Sequence, residues 1–210
     1  MTTLVIGANG QIGRQFCELA QAAGEPIKAM VRGEAQRAWF EERGIPSVVA
    51  DLEGDFAHAF EGCDQLVFTA GSGPHTGPDK TLLIDLYGAM RAVDLAAERV
   101  LRRFVMVSAL RAENPQAAPE KLRPYMAAKL AADAYLKASG MPWTILKPGR
   151  LIDEPATRRV ATSLAETGGE NTVSRANVAE ALLHLVQADD LSGREFLLLD
   201  GEREIAEALS

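Results

Sequence analysis

A glycine-rich segment near the start of the chain has the residue types and spacing that bind phosphate. Gly7-Ala8-Asn9-Gly10-Gln11-Ile12-Gly13 directly follows an apolar run, and a helix-like stretch comes after it. Glycines at a strand-to-helix turn let backbone N–H groups approach a pyrophosphate at the helix N-terminus. The segment therefore predicts a dinucleotide site, although glycine-rich turns also occur for structural reasons alone. The binding residues expected here are Gly7, Asn9, Gly10, Gln11 and Ile12.

A tyrosine and a lysine four residues apart, Tyr125 and Lys129, form the second group that could do chemistry. On a helix this spacing places both side chains on one face. A free tyrosine, with a pKa of about 10, is a poor base near neutral pH, and a neighbouring ammonium favours its phenolate. A tyrosine in such a pair can exchange a proton with a substrate oxygen, although Tyr and Lys at this spacing also occur often by chance. A buried tyrosine beside a solvated lysine is the alternative.

Arg32, directly after the second apolar run, bears on the choice of dinucleotide. NAD-selective sites usually place an acidic residue near this point to bind the ribose hydroxyls. An arginine can instead pair with a 2′-phosphate through charge-assisted hydrogen bonds. The sequence therefore favours NADP(H) over NAD. Glu34 lies close enough to complicate this interpretation, and a solvated surface arginine is the alternative.

The elements that must position these residues alternate between strand and helix. Six short apolar runs, bounded by Gly, Pro or Asp, are predicted to be buried strands. They are Thr3–Ile6, Ile27–Val31, Ser47–Ala50, Gln65–Thr69, Phe104–Ser108 and Trp143–Lys147. A further strand is predicted at Arg194–Leu199, and Ser174 has the residue type of a helix N-cap.

Two helices are predicted between the later strands. One follows Pro78, and another opens near Pro124 and ends at Gly140. In the first, residues at three- and four-residue steps predict the buried face, and charged residues are expected on the other faces. The buried face would hold Leu82, Leu86, Met90, Val93 and Ala97, and the other faces Asp85, Arg91, Asp94 and Glu98.

This alternation predicts an α/β fold, a doubly wound parallel sheet with helices on both faces. After Lys147 the chain becomes irregular and polar up to Thr172. We expect one domain over residues 1–210, with about 148–210 forming a small lobe on the substrate side.

Composition excludes several classes of function. The chain is 47% hydrophobic and 24% charged, with a net charge of −7, which argues against disorder and against nucleic-acid binding. No apolar run reaches the roughly 20 residues of a membrane span, and no export signal stands out. Two cysteines and three scattered histidines indicate no metal site. A cytoplasmic protein with a small-molecule partner is expected, as a monomer or homodimer.

With the glycine loop, Asp51-Leu52 after the third strand, Ala70-Gly71-Ser72-Gly73 after the fourth and Tyr125-x-x-x-Lys129, the chain resembles the short-chain dehydrogenase/reductase superfamily. It is most similar to the small atypical, NAD(P)-binding or epimerase-like members, whose fold is Rossmann-like. The resemblance extends over essentially the whole chain, including Lys147-Pro148-Gly149. It implies catalysis by Tyr125 and Lys129 and a cofactor bound along the carboxyl edge of the sheet.

The resemblance also implies roles for further residues. Asp51 and Leu52 would border the adenine, although a strand-end cap is the alternative for Asp51. Lys129 would bond the nicotinamide ribose. The remaining expected cofactor contacts are Ala70, Gly71 and Ser72 on the ribose side and Pro148, Gly149 and Arg150 near the nicotinamide.

Ser108 occupies the region of the superfamily's catalytic serine, but Ala109 and Leu110 follow it where a serine or threonine often stands. The expected function is an NADP(H)-dependent oxidoreductase or epimerase-like enzyme. Its substrate would be a small carbonyl, alcohol or quinone-like compound, because a short lobe leaves little room for a large one. The alternative is a non-catalytic NADP(H)-binding redox sensor.

Overall fold

The computed structural model describes residues 1–73, 75–188 and 191–210; Pro74, in the glycine- and proline-rich segment after the fourth strand, lies outside them. Its strands in chain order are β1 (Thr3–Ile6), β2 (Ile27–Val31), β3 (Ser47–Val49), β4 (Gln65–Phe68), β5 (Arg103–Val107), β6 (Trp143–Pro148), β7 (Arg150–Ile152), β8 (Arg159–Ala161), β9 (Thr172–Ser174), β10 (Arg194–Asp200) and β11 (Arg203–Glu204).

The helices that cover the sheet come between these strands. They are α1 (Gln11–Ala22), α2 (Glu34–Glu41), α3 (Pro78–Lys80), α4 (Ala89–Glu98), α5 (Arg123–Ala138), α6 (Arg175–Gln187) and α7 (Ile205–Ala208). A π-helical segment, Thr81–Gly88, joins α3 to α4. Ser174 caps α6, as its residue type predicts, because its hydroxyl accepts the Asn177 N–H.

The main sheet runs in the order β11-β8-β10-β6-β5-β4-β1-β2-β3 within the described part of the chain. From β10 to β3 every neighbouring pair is parallel, whereas β8 pairs antiparallel with both β10 and β11. Strands β7 and β9 form a separate two-stranded sheet. Parallel neighbours need crossover connections, and the helices supply them on both faces.

Alternate residues of the central strands enter two hydrophobic cores, one on each face of the sheet. Val5 and Val105 pack with Phe16 of α1 and Leu182 of α6. On the other face, residues such as Phe104 pack against α4 and α5. The predicted α/β fold class, with a doubly wound sheet, is confirmed. Strands β1 and β2 have the predicted bounds, and the other predicted strands differ by one residue at one or both ends.

The helix after Pro78 has a different buried face from the predicted one. In the π-helical segment the buried residues are Thr81, Asp85 and Gly88, whereas Leu82 is 56% exposed. A π-helix bonds residue i to i+5, so its side chains turn away from the face that a 3.6-residue period predicts. The expectation that Asp85 lies on a polar face was therefore wrong, since Asp85 is only 1% exposed.

None of the helices in the described residues has the length and apolar character that crossing a membrane would require.

Candidate functional site

A cleft of about 360 Å3 opens where β1 to β4 end, on the carboxyl edge of the sheet. This volume lies in the range of small-molecule sites. Nine of the predicted cofactor residues line it: Gly7, Asn9, Gly10, Arg32, Asp51, Leu52, Ala70, Gly71 and Ser72. Gln11 and Ile12 lie beside it, in the first turn of α1.

The glycine loop forms a cradle that has no room for a side chain at Gly7 or Gly13. Gly7 has φ +90°, and a Cβ there would lie 2.5 Å from the Ala70 backbone nitrogen. A Cβ on Gly13 would collide with the Gly7 carbonyl oxygen. Gly10 precedes α1, and no side chain caps the first turn of that helix. This close backbone approach beside uncapped amides fits the pyrophosphate of a dinucleotide.

Arg32 lies at the cleft with its side chain free of ion pairs and hydrogen bonds to the described residues. Its backbone N–H donates to Gln36 Oε1 at 2.8 Å, while the side chain is exposed. Glu34 pairs with Arg37, at 3.7 Å, and not with Arg32. The guanidinium is therefore available to an anionic ligand.

Asp51 lines the cleft and also shapes the turn after β3. Its Oδ1 accepts the Glu53 N–H at 3.0 Å, which is the strand-end interaction expected as the alternative to ligand binding. The two roles are compatible, because a carboxylate keeps further acceptor sites.

Lys129 lies in the protein interior, and not in solvent as the alternative prediction had it. It is 3% exposed, its Nζ donates to the Val107 carbonyl oxygen at 3.3 Å and lies 3.4 Å from Asp85 Oδ1. Burial alone would lower the pKa of this ammonium, but Tyr125, Asp85 and Asp133 together raise it above its usual value. Lys129 is therefore a protonated, fixed cation.

Tyr125 lies next to this cation, on the preceding turn of α5. Its ring centroid is 5.6 Å from Lys129 Nζ, and the side chain is only partly buried. The helix thus brings the two residues together as their spacing predicts. Tyr125 therefore lies beside a fixed positive charge and is also partly exposed to solvent.

Ser108 is also buried, at 3% exposed, and its hydroxyl donates to Asp133 Oδ2 at 2.7 Å. Asp133 is itself 3% exposed and has no hydrogen-bond partner for Oδ1. Burial raises the pKa of Asp133 above its usual value, although the Ser108 hydroxyl and three lysines act against this. The serine hydroxyl is therefore engaged inside the protein.

The predicted nicotinamide-side residues lie outside the cleft lining. Pro148 ends β6, and Gly149 and Arg150 lead into the small two-stranded sheet, where a Cβ on Gly149 would meet Leu199. The Leu110 N–H donates to the Pro148 carbonyl oxygen at 2.9 Å, which ties this segment to the loop after Ser108.

Sequence reasoning missed several residues of the site. Glu53 and Lys80 line the cleft and form an ion pair at 2.6 Å, 27 positions apart. Asp85 joins Lys129 to the cleft wall, because its Oδ2 accepts the Ser72 N–H at 2.9 Å. No local pattern signals either contact, since each partner comes from a distant part of the chain.

The fold and the glycine cradle define a dinucleotide-binding α/β protein. Residues 7–189 match the NAD(P)H-binding family of proteins. The chain belongs to this family, and the resemblance found in the sequence is confirmed.

Known proteins similar to this chain are named as epimerases and oxidoreductases. Over 213 aligned positions the chain is 45% identical to the uncharacterized sugar epimerase YhfK of Bacillus subtilis, covering 100% of this chain and 99% of that protein. A structure from Bacillus halodurans, named for an NAD-dependent epimerase/dehydratase, is 41% identical with a TM-score of 0.95, covering 100% of this chain and 98% of that one. The oxidoreductase ylbE of Lactococcus lactis is 25% identical with a TM-score of 0.86, covering 100% and 95%.

These similarities place the chain among the NAD(P)-dependent, oxidoreductase- or epimerase-like enzymes. The Rossmann-like fold predicted from the sequence agrees with those structures.

Proposed function

We propose that this protein is an NADP(H)-dependent oxidoreductase in which Tyr125 is the acid/base for a small carbonyl, alcohol or quinone-like substrate. The observation that carries the proposal is the fixed Lys129 cation 5.6 Å from the Tyr125 ring, at the end of β5 and beside the cofactor cleft. The cofactor, when bound, supplies or accepts the hydride.

The chain's own contribution is binding and proton transfer. The glycine cradle and Ser72 would hold the cofactor in the cleft, and Arg32 would pair with the 2′-phosphate of NADP(H). The partly buried Tyr125 phenol would give a proton to, or take one from, the substrate oxygen. Lys129 would hold a fixed positive charge beside the phenol during this transfer.

A test of this function compares wild type with Tyr125→Phe for NADPH oxidation against a panel of small carbonyls and quinones. We expect turnover to fall by about 10²- to 10⁴-fold, because a general acid/base is removed. The dissociation constant of NADPH, measured by fluorescence, should change little, since Tyr125 lies outside the cleft lining.

Tyr135→Phe is the matched control, because Tyr135 lies on the same helix and its hydroxyl donates to Asp94 at 2.7 Å. It should retain wild-type turnover. Undiminished turnover in Tyr125→Phe rejects Tyr125 as the acid/base.

One observation favours a second function, the non-catalytic redox sensor. The Ser108 hydroxyl donates to Asp133 inside the protein, so it is not directed at a substrate. Tight binding of NADPH with no turnover by wild type or Tyr125→Phe supports the sensor and rejects the enzyme.

A further inference from the structure

An ion pair at the cofactor cleft joins two segments that are distant in the sequence. Glu53 follows β3, and Lys80 ends α3, which follows β4. Lys80 Nζ donates to Glu53 Oε1 at 2.6 Å, and both residues line the cleft. The Lys80 and Glu53 side chains are 42% and 35% exposed, so the ion pair lies at the protein surface, where the cleft opens.

The order of the strands places these two segments on opposite sides of the cleft. This part of the sheet runs in the order β4-β1-β2-β3. Neighbouring strands lie about 4.8 Å apart, so about 14 Å separates β4 from β3. The glycine loop follows β1 and Arg32 follows β2, and both line the same cleft. The Glu53–Lys80 ion pair therefore connects the two walls of the cleft across the ends of β1 and β2.

The backbone on each side of the ion pair is held by other contacts. After β3, Arg91 of α4 donates to the Gly54 carbonyl oxygen at 2.6 Å. After β4, the Thr76 hydroxyl donates to the Gly73 carbonyl oxygen at 3.0 Å. The contact that can open with the smallest rearrangement is therefore the one between the two long side chains.

The position of Arg32 indicates which half of the cofactor lies beneath the ion pair. Dinucleotide-binding folds hold the pyrophosphate at the N-terminus of the first helix and the adenosine ribose near the end of the second strand. Arg32 follows that second strand. The adenosine half of the cofactor would therefore lie between the two segments that the ion pair joins.

We propose that Glu53 and Lys80 form a clasp over the adenosine half of the cofactor, which opens when the cofactor enters or leaves. The clasp retains the cofactor through a contact between two protein side chains, and it needs no bond from either residue to the cofactor. This inference rests on the NADP(H) binding in the proposed function, and not on Tyr125 as the acid/base.

Stopped-flow fluorescence of NADPH binding to Glu53→Gln/Lys80→Met tests the clasp. This double variant removes the ion pair without changing the net charge, so the long-range attraction of the anionic cofactor is preserved. We expect the association and dissociation rate constants to rise together, each by about two- to fivefold, which is the contribution of a surface ion pair. The dissociation constant of NADPH should change by less than about twofold, because entry and exit use the same opening.

The single variants separate the clasp from a direct contact between Lys80 and a phosphate of the cofactor. Glu53→Gln should speed NADPH dissociation, because the clasp loses one partner. A Lys80 that binds the cofactor directly would instead slow dissociation in this variant, because it is released from Glu53. Slower dissociation from Glu53→Gln overturns the proposal, as does a double variant with the rate constants of wild type.

The exposed Arg37–Glu41 ion pair of α2 supplies the matched control. Its length is 2.7 Å, and neither residue is among the cleft-lining residues that the structure describes. Arg37→Met/Glu41→Gln should leave both rate constants unchanged. The charge exchange Glu53→Lys/Lys80→Glu rebuilds the clasp with its partners reversed and should return both rate constants toward the wild-type values. Rate constants as high as those of Glu53→Gln/Lys80→Met overturn the proposal.

These rate constants are measured without turnover, so the clasp and the proposed catalysis are tested separately. Wild type that binds NADPH but turns over no substrate rejects the proposed enzyme, and the rate constants still decide the clasp. Wild type that does not bind NADPH overturns both proposals.

Discussion

Arg32 and Lys129 are the two cations that the sequence points to, and the structure gives them different electrostatic roles. Lys129 is buried and has an acidic partner, Asp85, within the protein. Arg32 is exposed at the cleft and has no acidic partner in the described residues. Arg32 is therefore the residue through which a 2′-phosphate would be recognised.

Arg32→Ala should weaken NADPH binding much more than NADH binding. We expect the NADPH dissociation constant to rise by about 10- to 100-fold, the value of one strong charge-assisted contact or two moderate ones. The NADH constant should change by less than about threefold, since NADH lacks the 2′-phosphate. Fluorescence titration with each cofactor measures the ratio of the NADPH and NADH dissociation constants.

Arg37→Ala is the control for this change. Arg37 lies in the neighbouring helix α2 and pairs with Glu41 at 2.7 Å and with Glu34, so its loss should leave the ratio of the NADPH and NADH dissociation constants unchanged. Equal weakening of NADPH and NADH by Arg32→Ala rejects a role in selecting NADP(H).

At the scale of elements, sequence predicts the strands because buried apolar runs end at Gly, Pro or Asp. It fails at Thr81–Gly88, since the apolar spacing there fits a 3.6-residue period while the backbone forms π-helical turns. In the candidate site too, sequence predicts local patterns but not the contacts between distant parts of the chain. The glycine loop and the Tyr125/Lys129 pair are local patterns, whereas the Lys129–Asp85 and Ser108–Asp133 contacts join separate elements and leave no local signal.

The junction of β1 and α1 lines the cofactor cleft through Gly7, Asn9 and Gly10. Gly13→Ala should lower the free energy of unfolding by about 3 kcal/mol, because the added methyl would collide with the backbone at Gly7 and Ala8. Urea unfolding followed by circular dichroism measures the loss.

Gly54→Ala is the corresponding control, because its Cβ would meet no atom closer than 3.7 Å. It should change the free energy of unfolding by less than about 0.5 kcal/mol. Similar values for the two variants would mean that helix α1 can move away from β1, and that the cradle is not rigid.

For the whole molecule, the net charge of −7 contrasts with the anionic cofactor that its family binds. Ion pairs in the structure determine which positive charges remain available to that cofactor. At the cleft, Lys80 is neutralised by Glu53, while Arg32 stays available. Inside the fold the buried carboxylates Asp85 and Asp133 sit against lysines and a serine hydroxyl. A buried group whose pKa changes on folding makes stability depend on pH, and Asp133 is such a group.

Asp133 gives the clearest pH dependence, because burial raises its pKa above the usual 3.8. The folded protein therefore binds this proton more tightly than the unfolded chain does. The stabilisation that comes from this tighter proton binding is fully present below the Asp133 pKa of the unfolded chain. It is lost as the pH rises through the Asp133 pKa of the folded protein. Asp133→Asn, whose amide oxygen can still accept the Ser108 hydroxyl, should consequently stabilise the protein relative to wild type at neutral pH. This gain in the free energy of unfolding should shrink toward zero as the pH falls to the ordinary pKa of an aspartate.

Urea unfolding of both proteins across a series of pH values measures this difference. Asp94→Asn serves as the control, because Asp94 is exposed to solvent and its removal should give a difference with little pH dependence. A gain in Asp133→Asn that is the same at every pH would show that Asp133 does not titrate differently in the folded and unfolded states. In that case the lysines around Asp133 compensate its burial fully, and the Ser108–Asp133 pair is an ordinary hydrogen bond to an ionised carboxylate.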